Sequence, residues 1–460
     1  MPDLPEMDVY NSVLETVGNT PLIRLNKVGG KIAADLLAKV ESFNPGGSVK
    51  DRIGMSMIEA AVREGRLKPG GTIVECTSGN TGMGLAIAAA VLGYKAIFTM
   101  PDKMSLEKIN LLKAIGAEVV VTPTAVAADS PESYYKVAER IVEETPGACH
   151  MNQYHNQANP LSHYRSTGPE LWRQTAGRIT HFIAGMGTGG TISGTGKFLK
   201  EQNPDVKVIG VDPIGSILRD YFYTKKITEA RPYKVEGVGE DIIPSTTHFQ
   251  YIDEVVQVTD KECFVAARRV AREEGILVGG SCGLAVAGAL KALRNSRPGD
   301  VAVVLLPDTG ERYLSKLYNE EWLRDNGFLE PEAVRIRDVL GSKSRAMPML
   351  VSVTPSQTVR EAIRLVREHD ISFIPVIEGE QVRGTLEENA LMRAVLEDPT
   401  HLDRTAAEVM SPPLTVLGPD QTVQAAIAAL GRKTPAILVC EGERAVGILT
   451  RTDVIAYVSA

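Results

Sequence analysis

Between residue 19 and about residue 328, short apolar runs alternate with helical ones, and this alternation restricts the fold more than any other feature of the chain. The runs at 36–40, 72–74, 95–99, 118–121, 181–184, 207–211, 276–278 and 301–305 read as strands. Helical spacing follows at 82–92, 106–115 and 134–144. Strands separated by helices pair in parallel and are covered on both faces, so the expected class is α/β with open, mainly parallel sheets. Ligands in such sheets collect where strands give way to helices.

Several of those turns carry unusual residues. Asn44-Pro45-Gly46-Gly47-Ser48-Val49-Lys50 breaks a strand and puts Lys50 on the first turn of a helix whose apolar spacing resumes at Ile53, Met57 and Ile58. There the positive helix end and neighbouring Arg52 are expected to disfavour a further charge, holding the amine neutral and nucleophilic as Schiff-base chemistry requires. The alternative is a solvated surface lysine. Thr77-Ser78-Gly79-Asn80-Thr81-Gly82 opens the next helix, and its side chains converge with backbone N–H groups into a receptor for a carboxylate. Ordinary N-capping accounts for one of these residues, not the cluster.

Gly185-Met186-Gly187-Thr188-Gly189-Gly190-Thr191 suits a phosphate, because glycines let backbone amides approach closely while Thr188 and Thr191 add hydroxyls. The same loop satisfies the dinucleotide pattern, with Asp212 about twenty residues on. An NAD-dependent dehydrogenase therefore competes, although it leaves the Lys50 and Asn80 loops unexplained. Gly279-Gly280-Ser281-Cys282-Gly283 offers a hydroxyl that is either an N-cap or a partner for a pyridine nitrogen. A pyridine facing a hydroxyl stays largely unprotonated, which favours elimination and replacement at Cβ over transamination.

At 460 residues and 43% hydrophobic content the chain has material for more than one domain. A net charge of -7 and 5% aromatic residues argue against nucleic acid. The acidic, proline-bearing start is unlike a secretory signal, no apolar stretch is long enough for a membrane span, and the five scattered cysteines suit a reducing compartment. A cytoplasmic protein without a metal site is expected, with His150, His155 and His163 as surface or hydrogen-bonding residues. The expected layout is a catalytic part over 1–330, a linker over 331–345 and a pair of repeats over 346–460. Pro355-Ser356-Gln357-Thr358-Val359 is echoed about sixty residues on by Pro419-Asp420-Gln421-Thr422-Val423, each followed by a helix, a strand and an acidic hairpin.

The loops, in this order, resemble those of the β-family (fold type II) pyridoxal-phosphate enzymes, whose tryptophan synthase β-like core joins two open-sheet α/β subdomains. That resemblance implies pyridoxal 5'-phosphate carried by Lys50, with Asn80 on its ring hydroxyl, Gly187, Thr188, Gly189, Gly190 and Thr191 on its phosphate, and Ser281 facing its ring nitrogen. Thr77, Ser78, Thr81 and Gln153 would grip the substrate carboxylate, and Tyr154 and the flap residues Gly237, Gly239 and Glu240 would contact the substrate. Within this group Gln153-Tyr154, Asp212-Pro213-Ile214-Gly215-Ser216, the flap Val235-Glu236-Gly237-Val238-Gly239-Glu240-Asp241 and the tail from Pro307 to Lys316 resemble the cystathionine β-synthase family more than the cysteine synthases.

The implied reaction condenses L-serine with L-homocysteine to L-cystathionine and water; O-acetylserine with sulfide is the alternative. Because few residues precede the core, no haem is expected. The repeats are similar to paired CBS motifs, a Bateman module. Gly447-Ile448-Leu449-Thr450-Arg451-Thr452-Asp453 resembles their adenosine-binding signature, whereas Glu387 and Ala390 stand at the matching places of the first repeat. Thr450 and Asp453 are thus the expected contacts for S-adenosylmethionine or an adenine nucleotide, with no ligand as the third option, in a homodimer or homotetramer.

Overall fold

The computed structural model describes residues 9–30, 32–77, 79–102, 104, 106–127, 129–329, 334–342, 350–431 and 434–458. Two units divide the chain, Met1–Leu329 and Glu330–Ala460. The first begins β1 (Leu22–Arg24), β2 (Asp35–Val40), α1 (Lys50–Arg63), β3 (Thr72–Cys76), α2 (Asn80–Leu92), β4 (Lys95–Pro101), α3 (Leu106–Ala114), β5 (Glu118–Thr122), α4 (Tyr134–Glu144) and β6 (Ala148–His150). It continues with α5 (Ala158–Arg165), α6 (Thr167–Gln174), β7 (His181–Gly185), α7 (Gly190–Gln202), β8 (Lys207–Pro213), α8 (Leu218–Thr224), β9 (Glu254–Val258), α9 (Asp260–Arg269), α10 (Gly280–Ala292), β10 (Val301–Leu306) and α11 (Glu320–Asp325).

These strands form two sheets, ordered β1-β2-β10-β7-β8-β9 and β5-β4-β3-β6. Every pairing is parallel except the edge pair β1–β2, as the strand–helix alternation required. Burial follows the same logic: β3 is buried along its whole length, and so are the first ten residues of α10. Residues 276–278, expected as a strand, make only the isolated bridge Val278–Thr309. The segment is held instead by Tyr318, whose hydroxyl donates to the Val278 carbonyl at 2.7 Å and accepts from its N–H at 3.3 Å.

One backbone contact sets the position of Lys50. Helices α1 and α2 cross at Gly54 and Gly84, where a Cβ added to Gly54 would lie 2.6 Å from the Gly84 carbonyl and one added to Gly84 would lie 2.5 Å from the Lys50 carbonyl oxygen. No side chain fits between them.

In the second unit come α12 (Ile336–Ser342), α13 (Val359–His369), β11 (Phe373–Glu378), β12 (Gln381–Glu387), α14 (Glu388–Glu397), α15 (Ala406–Val409), β13 (Thr415–Leu417), α16 (Val423–Ala429), β14 (Ala436–Glu441), β15 (Arg444–Thr450) and α17 (Arg451–Val458). The repeat is visible in detail. Hairpins β11–β12 and β14–β15 have register shifts at matching places, Val376/Ile377 and Val439/Cys440, and turn through Gly379 and Gly442, both at φ 63. Part of the expected linker belongs to this unit: Ile336, Val339 and Leu340 of α12 are buried against Val423, Ile437 and Leu449, an amphipathic spacing that the proline and acidic residues before it obscured. Residues 331–333 and 343–345 of that stretch lie outside the described residues.

Gly84→Ala must push against backbone, so a stability loss of about 1–3 kcal/mol is expected, seen as a lowered Tm. Gly341→Ala, in a helix with nothing within 4 Å, should be neutral or stabilising by up to about 1 kcal/mol.

Candidate active site

Lys50 is the first residue of α1 and follows the turn that the Gly-Gly pair allows, Gly47 standing at φ 72. Its amine makes no hydrogen bond or ion pair among the described residues, and burial lowers its pKa to about 8, with Glu240 and Asp308 pulling it back up. The expected influence of Arg52 is not the cause. That guanidinium is neutralised by two carboxylates the local sequence could not reveal, Glu41 at 2.7 Å and Glu170 at 2.7 Å. Lys39, fully buried, has no such freedom: its amine donates to Thr20 O at 2.7 Å, Glu170 at 2.7 Å and Gln174 at 2.9 Å.

Helix α2 points its N-terminus into the same region. Thr77 serves partly as a cap, its hydroxyl accepting from Gly79 N at 3.0 Å and Gly82 N at 3.2 Å. Thr81 donates to Gln153 Oε1 at 2.6 Å, which brings the two expected carboxylate contacts together. Ser78 lies outside the described residues. Asn80 is held at both ends of its amide: Nδ2 donates to Asp308 at 2.8 Å and Oδ1 accepts from Arg312, which also reaches the Gly46 carbonyl. Arg312 thereby joins the Asn80 loop to the Lys50 turn. Both lie in the tail from Pro307 to Lys316 that carries part of the family resemblance, which by itself assigns neither a role. The signal was present, because both follow the carboxyl end of β10, where open parallel sheets gather ligand contacts.

At the start of α7, Gly189 has φ 79, and a Cβ there would fall 1.9 Å from the Thr247 hydroxyl. A Cβ on Gly190 would fall 1.9 Å from Asn159 Oδ1, and one on Gly187 would fall 3.0 Å from the Gly237 carbonyl. The three glycines leave a backbone cradle at the end of a 13-residue helix. Asn159 bridges this loop to the carboxylate loop, donating to Thr188 Oγ1 at 3.1 Å and Gln153 O at 2.8 Å. Thr191 meets His163 Nε2 at 3.2 Å, while His163 Nδ1 meets Thr167 at 2.9 Å. Burial, with Arg52 and Lys50, holds that imidazole neutral.

Ser281 is 3% exposed on the first turn of α10, and its hydroxyl has no hydrogen-bond partner among the described residues. The flap is pinned to the phosphate loop by Gly239 N donating to Met186 O at 2.6 Å, and its Glu236 accepts from Lys108 and from Lys316 at 2.6 Å. Gly237 and Gly239 take φ 78 and 74. Tyr154 packs edge-on against Tyr135, ring centroids 6.1 Å apart, and burial, with the Glu240 charge as a lesser cause, raises the pKa of both phenols.

Beneath the carboxylate loop, Glu75 accepts from Asn152 N at 2.6 Å and Gln153 N at 3.2 Å, so it shapes the turn that presents Gln153. Glu75, Cys76 and His150 also bring one ligand-type atom each to within 4.8 Å of one another, a juxtaposition created by the β3–β6 pairing and invisible in sequence spacing. Burial raises Glu75 to about 8. A carboxyl raised on folding contributes stability below its unfolded pKa and loses it as pH rises through the folded value. Glu75→Gln should therefore reduce the fall in Tm between pH 5 and pH 8, measured against wild type at each pH.

Residues 13–308 match the pyridoxal-phosphate dependent enzyme family, and residues 337–397 and 406–460 each match the CBS domain. The chain is 38% identical to cystathionine beta-synthase of Dictyostelium discoideum over 98% of its own length and 92% of the relative's. It is 39% identical to that of Saccharomyces cerevisiae, over 87% and 84%, and 44% identical to that of Oryctolagus cuniculus, over 80% and 68%. Among solved structures, O-ureido-L-serine synthase superimposes with TM-score 0.63 at 37% identity, covering 69% of this chain and 99% of that one. A hydrogen sulfide-producing enzyme from Fusobacterium nucleatum gives 0.62 at 36%, covering 66% and 100%. A lysine amine and a buried serine hydroxyl without partners among the described residues, and a glycine cradle at a helix start, thus sit in a chain that belongs to the pyridoxal-phosphate dependent enzyme family, in its cystathionine beta-synthase group with paired CBS domains.

Proposed function

We propose that the chain condenses L-serine with L-homocysteine, giving L-cystathionine and water. The observation that carries this reading is the Lys50 amine, partly buried, lowered to about 8 and without a hydrogen bond or ion pair among the described residues. The residues around it fit pyridoxal phosphate. Gly187, Thr188, Gly189, Gly190 and Thr191 would hold its phosphate at the α7 N-terminus, Asn80 its ring hydroxyl and Ser281 its ring nitrogen, using a cradle that a Cβ would fill and a hydroxyl with no partner among the described residues. When bound, the cofactor supplies an electron sink for the pair left as Cα loses its proton.

The protein's own part is to bind, orient and move protons. The α2 N-terminus, with Thr77, Ser78, Thr81 and Gln153, takes the substrate carboxylate and so aligns the Cα–H bond with Lys50. Lys50, with a neutral fraction near pH 8, accepts that proton and returns it to the same carbon once the thiol has added at Cβ. Tyr154, Gly237, Gly239 and Glu240 cover the substrate and keep out water. Lys50→Ala should keep the fold and lose turnover with serine plus homocysteine by at least ~10⁴-fold, a loss taken from the general scale for acid–base and nucleophilic groups. Wild type assayed in parallel with O-acetylserine plus sulfide decides between the two donor–acceptor pairs, and cysteine formation without cystathionine would overturn the reading.

In the second unit, Thr450 N and Oγ1 each donate to Asp453 Oδ2 at 2.7 Å, and Asp453 N returns a bond to Thr450 Oγ1 at 3.3 Å. The first repeat has Glu387 and Ala390 there, and Glu387 makes no side-chain cap for α14. We infer that one S-adenosylmethionine or adenine nucleotide binds per chain through Thr450 and Asp453, in a cytoplasmic homodimer or homotetramer. No helix of the described residues is long and apolar enough to cross a membrane, and all five cysteines are free and buried, which suits a reducing setting. Asp453→Ala should weaken S-adenosylmethionine, AMP or ATP binding at least tenfold by calorimetry; wild type that binds none of them overturns the assignment.

A further inference from the structure

Resting on that reading, we propose that Glu240 is the acid that protonates the departing β-hydroxyl of serine. Hydroxide is a poor leaving group, and departure as water requires a donor at Cβ's oxygen. Lys50 is occupied at that moment with the Cα proton. A second donor at that oxygen lets Lys50 keep the Cα proton for its return at the end of turnover.

Glu240 has the placement. Its backbone is fixed on both sides, N donating to Ser216 Oγ at 3.0 Å and O accepting from Ile217 N at 3.1 Å. Its Oε1 lies 3.8 Å from where a Cβ on Gly187 would stand, which puts the carboxyl over the phosphate loop. No hydrogen bond to the carboxyl is found among the described residues, in contrast to Glu236 four residues earlier with its two lysines. The groups facing it are Lys50 of α1, Asp212 at the end of β8 and its neighbour Asp241; the Cys76 thiol of β3 and the phenols of Tyr135, Tyr154 and Tyr233 also feel its charge. Burial first, then Asp241 and Asp212, against the opposing pull of Lys50, raises its pKa to about 8, which favours the protonated carboxyl at neutral pH.

The step balances. As Lys50 takes the Cα proton, the Cβ–O bond breaks, its electron pair goes to oxygen, and oxygen takes the Glu240 proton and leaves as water. The Glu240 carboxylate then takes the proton of the homocysteine thiol as sulfur bonds to Cβ, and Lys50 returns its proton to Cα. Glu240 ends protonated.

An ester oxygen needs no such help, because acetate departs as a stable anion. The test therefore compares serine with O-acetylserine, each with homocysteine, in loaded wild type and Glu240→Gln. The ratio of kcat/KM for O-acetylserine to that for serine should rise by ~10²-fold or more, the scale of a lost general acid. Cofactor absorbance should be unchanged, and infrared difference spectra should show a protonated carboxyl in wild type at pH 7 that titrates away above pH 8 and is missing in Glu240→Gln. If the variant does not load, Glu240→Asp serves, and it should keep the wild-type ratio because it keeps an acid. Equal losses with both donors, or no titrating carboxyl, would overturn the role. Wild type that makes no cystathionine from serine overturns the function assigned above, and this role with it.

Discussion

Four buried charges hold the catalytic turn in place. Arg52 binds Glu41 through Nε and Nη2 at 2.7 and 2.9 Å and Glu170 through Nη1 and Nη2 at 2.7 and 2.9 Å, and Lys39 completes the set on Glu170 at 2.7 Å. Thr20 and Asn44 fill remaining acceptor positions on Glu41. The charges sum to zero and their hydrogen bonds are met, which is the condition under which buried ions are tolerated. Removing one partner would leave an uncompensated charge at about 3–5 kcal/mol. The set ties β2, the turn after it, α1 and α6 together, and Lys50 is two residues from its centre.

How much of this could be read from sequence depended on whether the decisive contacts were local. The Lys50 turn was legible because Asn44-Pro45-Gly46-Gly47 interrupts one period and Ile53, Met57 and Ile58 begin another, all within fifteen residues. The helix at Tyr134–Glu144 came out with the expected bounds. Arg52 was misjudged for the opposite reason: its immediate neighbours suggest a free cation, while Glu170 arrives from 118 residues away. The hold of Asp308 on Asn80 spans 228 residues and has no local pattern. At 276–278 an apolar run met no partner strand; the Tyr318 hydroxyl took the backbone bonds of Val278, and Gly310 N that of the Leu277 carbonyl. The repeats were legible as repeats, but not the burial of α12 in their core, because a helix of seven residues gives too few turns to establish a period.

Thr450 and Asp453 show how one motif serves two ends. Reciprocal bonds across the first turn form a cap for α17. A ligand that uses these side chains has to replace that cap, so its net affinity is a difference between new and surrendered bonds.

The contrast between Lys39 and Lys50 reaches into covalent chemistry. An electrophile needs the nitrogen lone pair, and Lys39 has all three of its ammonium hydrogens committed to Thr20, Glu170 and Gln174. Lys50 commits none among the described residues, and its lowered pKa leaves a share of the amine unprotonated near neutrality. Carbonyl compounds and acylating reagents small enough to enter should therefore sort these two side chains by kinetics alone, so that the protein selects its own site of modification before any cofactor shape is recognised.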